Sequence, residues 1–72
     1  MEMVYFYEEW SDREVWINPR NIDYVEAQDH GQVMIRMTGT DVYVKESINA
    51  VVDKLKMAGV EIEREKGDGD SV

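Results

Sequence analysis

The chain reads as an α+β domain: a small twisted antiparallel sheet of four or five strands packed by one C-terminal α-helix, with a disordered acidic tail behind it. Two observations predict this. Between Val33 and Gly59 the apolar period changes at Ser47 from two to about three and a half, the mark of a hairpin passing into an amphipathic helix. Upstream, shorter β-type runs are separated by the turn-forming stretches Trp10-Ser11-Asp12-Arg13 and Asn18-Pro19-Arg20-Asn21. The domain is expected over residues 1–64 and the tail over 65–72.

Met3 to Glu9 is rich enough in β-branched and aromatic residues to be a strand, with Val4 and Phe6 on one face and Met3, Tyr5 and Tyr7 on the other. Both faces are apolar, so both can be covered. Glu14 to Ile17 resumes the alternation, and the two runs form a hairpin. Pro19 then breaks the pattern, because it has no N–H for a ladder and pre-sets the first corner of a tight turn. Ile22 to Gln28 restarts as a strand, although the spacing of Ile22 and Val25 also suits a short helical turn. Asp29-His30-Gly31 offers a turn that tolerates left-handed backbone. After it Val33, Ile35 and Met37 alternate with Met34, Arg36 and Thr38, so one face goes into the core. Thr38-Gly39-Thr40-Asp41 reverses the chain, and Val42 and Val44 bring the next strand back.

Ser47 is a natural N-cap, its hydroxyl accepting from the free N–H groups of the first turn. Ile48, Val51, Val52 and Leu55 follow the i, i+3, i+4, i+7 template, Ala58 continues it, and the stripe should roof the sheet. Lys54 and Lys56 suit the negative end of the helix dipole, and Gly59 can take the left-handed stop. Val60 to Glu63 alternates weakly and is expected as an edge strand. The closing GDGDSV cannot bury enough to order itself.

A domain of 72 residues is near the size at which a chain buries only about 60% of its unfolded surface. There is no cysteine, so disulfides and thiolate metal sites are excluded, and self-association becomes the expected supplement. No apolar run is long enough to span a membrane, and the opening MEMVYFYEEW lacks the basic start and apolar core of a signal peptide. A cytoplasmic protein with no membrane partner, cellular or viral, is the expectation.

Sixteen acidic against eight basic side chains leave a formal charge of −8. Direct nucleic-acid binding needs clustered Lys and Arg, and here they are scattered singly from Arg13 to Lys66. The acidity serves solubility, and it can also complement a basic protein surface. In the sharper version the chain is an acidic inhibitor that imitates nucleic acid in a protein's groove. Glu8, Glu9, Asp12, Glu14, Glu26 and Asp29 would then stand where phosphates lie.

Nothing in the chain builds a catalytic, cofactor or metal constellation, and a non-enzymatic protein is expected. His30 is the only histidine and sits in a turn without partners nearby in sequence. Glu8 and Glu9 are adjacent strand residues and point to opposite faces, so they cannot converge on one substrate. Asp68 and Asp70 lack the other oxygen ligands and the closing Glu of a calcium loop.

The aromatics carry more information. Five of the seven, Tyr5, Phe6, Tyr7, Trp10 and Trp16, crowd into the first sixteen residues. A domain this small cannot bury them all, and exposed Tyr and Trp are enriched where interfaces form. Phe6 is expected in the core, and Tyr5, Tyr7, Trp10 and Trp16 form the candidate protein contact patch.

INPRNIDYVE (17–26) followed by VMIRMTGTDVYVKESINAVVDKL (33–55) resembles the small FlbD-type flagellar proteins, the swarming motility family. Those chains also pass from a strand into an Asn-centred turn, an Ile-x-x-Val/Ile-Glu segment, a Gly-turned hairpin and a Val-Lys-Glu-Ser/Thr entry to a terminal helix. The resemblance covers Val15 to Leu55 and leaves out the aromatic opening and the Gly-Asp tail. It implies an accessory role in motility, with no catalytic or cofactor residues. The chain is therefore expected to be a protein-binding module, accessory or regulatory, that self-associates.

Overall fold

The computed structural model describes residues 2–62. Strand β1 (Val4–Tyr7) pairs antiparallel with β2 (Glu14–Ile17), setting Val4 opposite Ile17, Tyr5 opposite Trp16, Phe6 opposite Val15 and Tyr7 opposite Glu14. Period-two alternation then sends Val4, Phe6 and Ile17 inward, where all three are buried. The tight link between the strands closes on itself: the Glu8 N–H donates to Arg13 O and the Asp12 N–H to Glu8 O. Asp12 takes a left-handed conformation there, φ +61°, which Asp tolerates better than most residues.

Asn18 caps a 3₁₀ turn over Pro19–Asn21, its side chain accepting from the Arg20 N–H at 3.0 Å. The helical spacing noticed at Ile22 belongs to the approach: the 3₁₀ turn precedes it, and a register shift between Ile22 and Tyr24 leads into β3 (Ile22–Ala27). β3, β4 (Val33–Met37) and β5 (Thr40–Val44) form an antiparallel meander. Its first link places His30 and Gly31 at positive φ, and its second uses Gly39 at φ +79° in a two-residue reversal.

The single sheet expected from the sequence is instead two, of two and three strands. β5 stays beside β1 only at the Glu8–Val44 bridge, where the Glu9 N–H reaches Tyr43 O and the Lys45 N–H reaches Tyr7 O, each at 2.9 Å. Glu46 and Ser47 then carry the chain away into α1 (Ile48–Met57). Ser47 caps this helix as predicted, accepting from the Ala50 N–H at 3.2 Å. Val51 and Leu55 are buried in the core beside Phe6, Val33, Ile35 and Val44, while Ile48 and Val52 lie half-buried at the edge of the roof.

The helix ends in a Schellman motif, with the Gly59 N–H donating to Lys56 O and the Val60 N–H to Leu55 O, Gly59 at φ +93°. This turn overrides the weak alternation beyond it. Residues 60–62 form no strand, and Val60 and Ile62 pack irregularly against the core. The remainder of that expected edge strand and the tail expected over 65–72 lie outside the described residues.

Leu55 is 2% exposed and is held between the sheet and the rest of α1. Leu55→Ala should cost about 2–5 kcal/mol, a large share of the stability of so small a domain. Denaturant melts should show the lowered midpoint, with Val52→Ala at the half-buried edge of the same helix costing distinctly less.

Candidate protein-interaction surface

The outer face of the β1–β2 hairpin is set by the same alternation that buries Val4 and Phe6. Tyr5, Tyr7 and Trp16 project from it and are 37%, 41% and 55% exposed. Their rings touch: Tyr5 meets Tyr7 edge to face with centroids 5.9 Å apart and meets Trp16 at 5.0 Å. Met3, also exposed, lies on the same side. Both faces of β1 are apolar, and only the Val4–Phe6 face is covered.

Trp10 does not join this cluster. It sits in the β1–β2 link, 70% exposed, and its ring contact is with Tyr43 at 5.3 Å. Beyond Tyr43, the outer face of the three-stranded sheet holds Met34, buried beneath its neighbours, and an Arg36–Asp41 ion pair with the Arg36 guanidinium 5.8 Å from the Tyr24 ring centre. Met34 is thus buried although it alternates away from the core, a departure from the one-sided strand predicted.

Lys54 and Glu46 anchor the aromatic hairpin, and sequence reasoning assigned neither of them to it. Where β5 leaves β1, the Tyr7 N–H and Tyr5 C=O would face no strand. The Glu46 carboxylate accepts from the Tyr7 N–H at 3.2 Å, and Lys54 Nζ donates to Tyr5 O at 2.7 Å. Glu46 and Lys54 also pair with each other at 3.5 Å, and the ammonium lies 4.3 Å from the centre of the Tyr5 ring. The sequence offered Lys54 only as a partner for the negative end of the helix dipole, so only the three-dimensional path of β1 reveals this role.

The acids singled out in the sequence are dispersed among local duties. Glu8 accepts from the Ser11 hydroxyl and Asp12 pairs with Lys45. Glu9 and Asp29 border one shallow depression together with His30 and Lys45, a mixed environment of both signs. Glu14 faces Tyr7 across the hairpin, and Glu26 accepts from the Gln28 side chain. His30 is exposed. Among the described residues no group of three His, Cys, Asp or Glu side chains is placed to hold a metal ion, and no helix is long and apolar enough to cross a membrane. No family model, curated protein or solved structure matches the chain.

Charge around the hairpin tunes one of its rings. Glu14 first, then Tyr5, slight desolvation and Glu46, raise the Tyr7 phenol above its ordinary value of 10.0. Lys45 is likewise raised from 10.5, chiefly by its hydrogen bond to Asp12. Pairing of Lys45 favours the fold below its unfolded pKa and is lost as pH climbs through the folded one, while for Tyr7 the repulsion of its phenolate disfavours the fold over the same kind of rise. Glu14→Gln should therefore bring the Tyr7 transition down toward that of a free tyrosine, read by ultraviolet phenolate absorbance with Tyr7→Phe as the subtraction.

Lys54→Met keeps the aliphatic stem and removes the ammonium that caps β1. It should cost about 1 kcal/mol, allowing for solvent screening of a side chain one-third exposed, and speed amide exchange in β1.

Proposed function

We propose that the chain is a small acidic, non-enzymatic protein-binding module that works through the outer face of its first hairpin and self-associates. One observation carries this reading: Tyr5, Tyr7 and Trp16 hold one another in contact on a rigid strand pair while remaining open to solvent. Rings packed in this way lose little side-chain freedom on binding, and the exposed third to half of each remains to be covered by a partner. Tyr and Trp are also the residue types that most often dominate binding energy. An accessory role of the FlbD type is one setting for such a module, supported by the sequence resemblance alone.

The two kinds of partner respond oppositely to salt. Two copies, each with a formal charge of −8, repel, so self-association should tighten as salt screens the repulsion. A basic partner should instead be held more weakly as salt rises.

Sedimentation of the purified chain over a range of protein and salt concentrations tests the proposal. Wild type should associate more tightly at higher salt. Trp16→Ala should weaken association by at least tenfold with the circular dichroism unchanged, because Trp16 is 55% exposed and contributes little to the core. Trp10→Ala should associate as wild type does. A Trp16→Ala chain that associates normally would remove the hairpin face from the reading. Binding to a DNA-handling protein that collapses with salt and competes with DNA would favour the nucleic-acid mimic instead.

A further inference from the structure

A second surface lies away from the aromatic hairpin. Between β3 and α1 runs a groove of about 710 Å³, floored by Val25, Ile48 and Val52 and walled by Val60 and Ile62. Asp23, Glu26 and Glu61 also line it, and among the described residues no Lys or Arg does. Its rim is therefore negative over an apolar floor.

One side of this groove is an open strand edge. β3 pairs only with β4 among the described residues. Tyr43 and Lys45 turn their backbone groups to β1, as the bonds from the Glu9 N–H and to Tyr7 O require. Alternation then directs Val42 and Val44 to β4, and Met34 and Arg36 of β4 to β3. Tyr24 and Glu26, their partners, face β4, which leaves the N–H and C=O of Val25 and Ala27 pointing out of the sheet. The open edge of β1 is occupied by Glu46 and Lys54, and among the described residues nothing equivalent occupies that of β3.

We infer that β3 and α1 form a receptor for an extended peptide that adds as a further strand beside β3, with aliphatic residues alternating with Lys or Arg. Main-chain bonds to Val25 and Ala27 would supply affinity, and the alternate side chains selectivity. A peptide residue bonded opposite Val25 shares its inward face and drops onto Ile48 and Val52. Its neighbours share the outward face of Tyr24 and Glu26, where a cation meets the Glu26 carboxylate and Arg36 is already paired with Asp41. β3 has six residues, so the recognised stretch is about that long. This surface is independent of the aromatic hairpin and goes beyond the function proposed for it.

The test titrates the full chain with a blocked peptide alternating valine and lysine, of the same length as β3, and follows its amide chemical shifts. Shifts should concentrate in Asp23–Ala27 and around Val52, with Trp16→Ala binding as wild type does. Ala27→Pro removes one edge-facing donor at an exposed position without touching the β4 ladder, and should weaken binding about tenfold. N-methylation of the peptide's valines should abolish binding, and glutamate in place of lysine should weaken it at least tenfold. Equal binding of the methylated or the glutamate peptide overturns the inference, as do shifts centred on Tyr5 and Trp16. So does failure of the peptide to bind while Ala27→Pro dissolves self-association, because a second copy of the chain would then be the occupant.

Discussion

The rest of the structure depends on how β1 satisfies its two edges. One edge is an ordinary ladder with β2. On the other, β5 supplies a single bridge before the chain departs, and the remaining polar groups would be orphaned beside an apolar core. Glu46 and Lys54 take the place of the missing strand, one as acceptor and one as donor. These bonds are open to solvent, so each contributes only about 1 kcal/mol, but the pair joins two elements where a surface ion pair joins only two side chains. It ties α1 to the hairpin and fixes which face of β1 looks inward. Burial of Phe6 and exposure of Tyr5 and Tyr7 are two consequences of one orientation.

Local chemistry made much of this legible. Ser47, the Val51–Leu55 stripe and Gly59 specify a helix with both ends marked, and the helix forms with those caps. The turns at Pro19, His30 and Gly39 fall where residues tolerant of special backbone angles fall. The division into two sheets was not legible, because it depends on how far β5 travels beside β1, a long-range property with no local signature. The loss of the strand near Val60 has a local cause, since the bonds that close the Schellman motif compete with ladder formation, and a weak alternation loses to them.

The surface was legible in composition but not in arrangement. Counting aromatics in the opening residues shows that some must be exposed, yet period two alone cannot say whether the Val4–Phe6 face or the Tyr5–Tyr7 face meets the helix. Trp10 illustrates the limit. Close to Tyr7 in sequence, it belongs in space with Tyr43, because the left-handed turn at Asp12 and the bridge to Val44 bring the link between β1 and β2 onto the other sheet.

Charge and apolar surface are distributed in a way that separates two modes of contact. The aromatic face has an ammonium, Lys54, over the Tyr5 ring and the carboxylates of Glu14 and Glu46 near Tyr7, so attraction proposed there would rest on desolvating rings. The groove beside β3 carries carboxylates without a cation among its described lining residues, so attraction proposed there would have a Coulombic share that ions screen. A molecule with a formal charge of −8 repels its own copies at long range and draws cationic segments. The self-association proposed above would therefore act at short range, while the acidic edge of β3 is biased against pairing with another copy of itself. Its carboxylates act as the charges that commonly guard an edge strand.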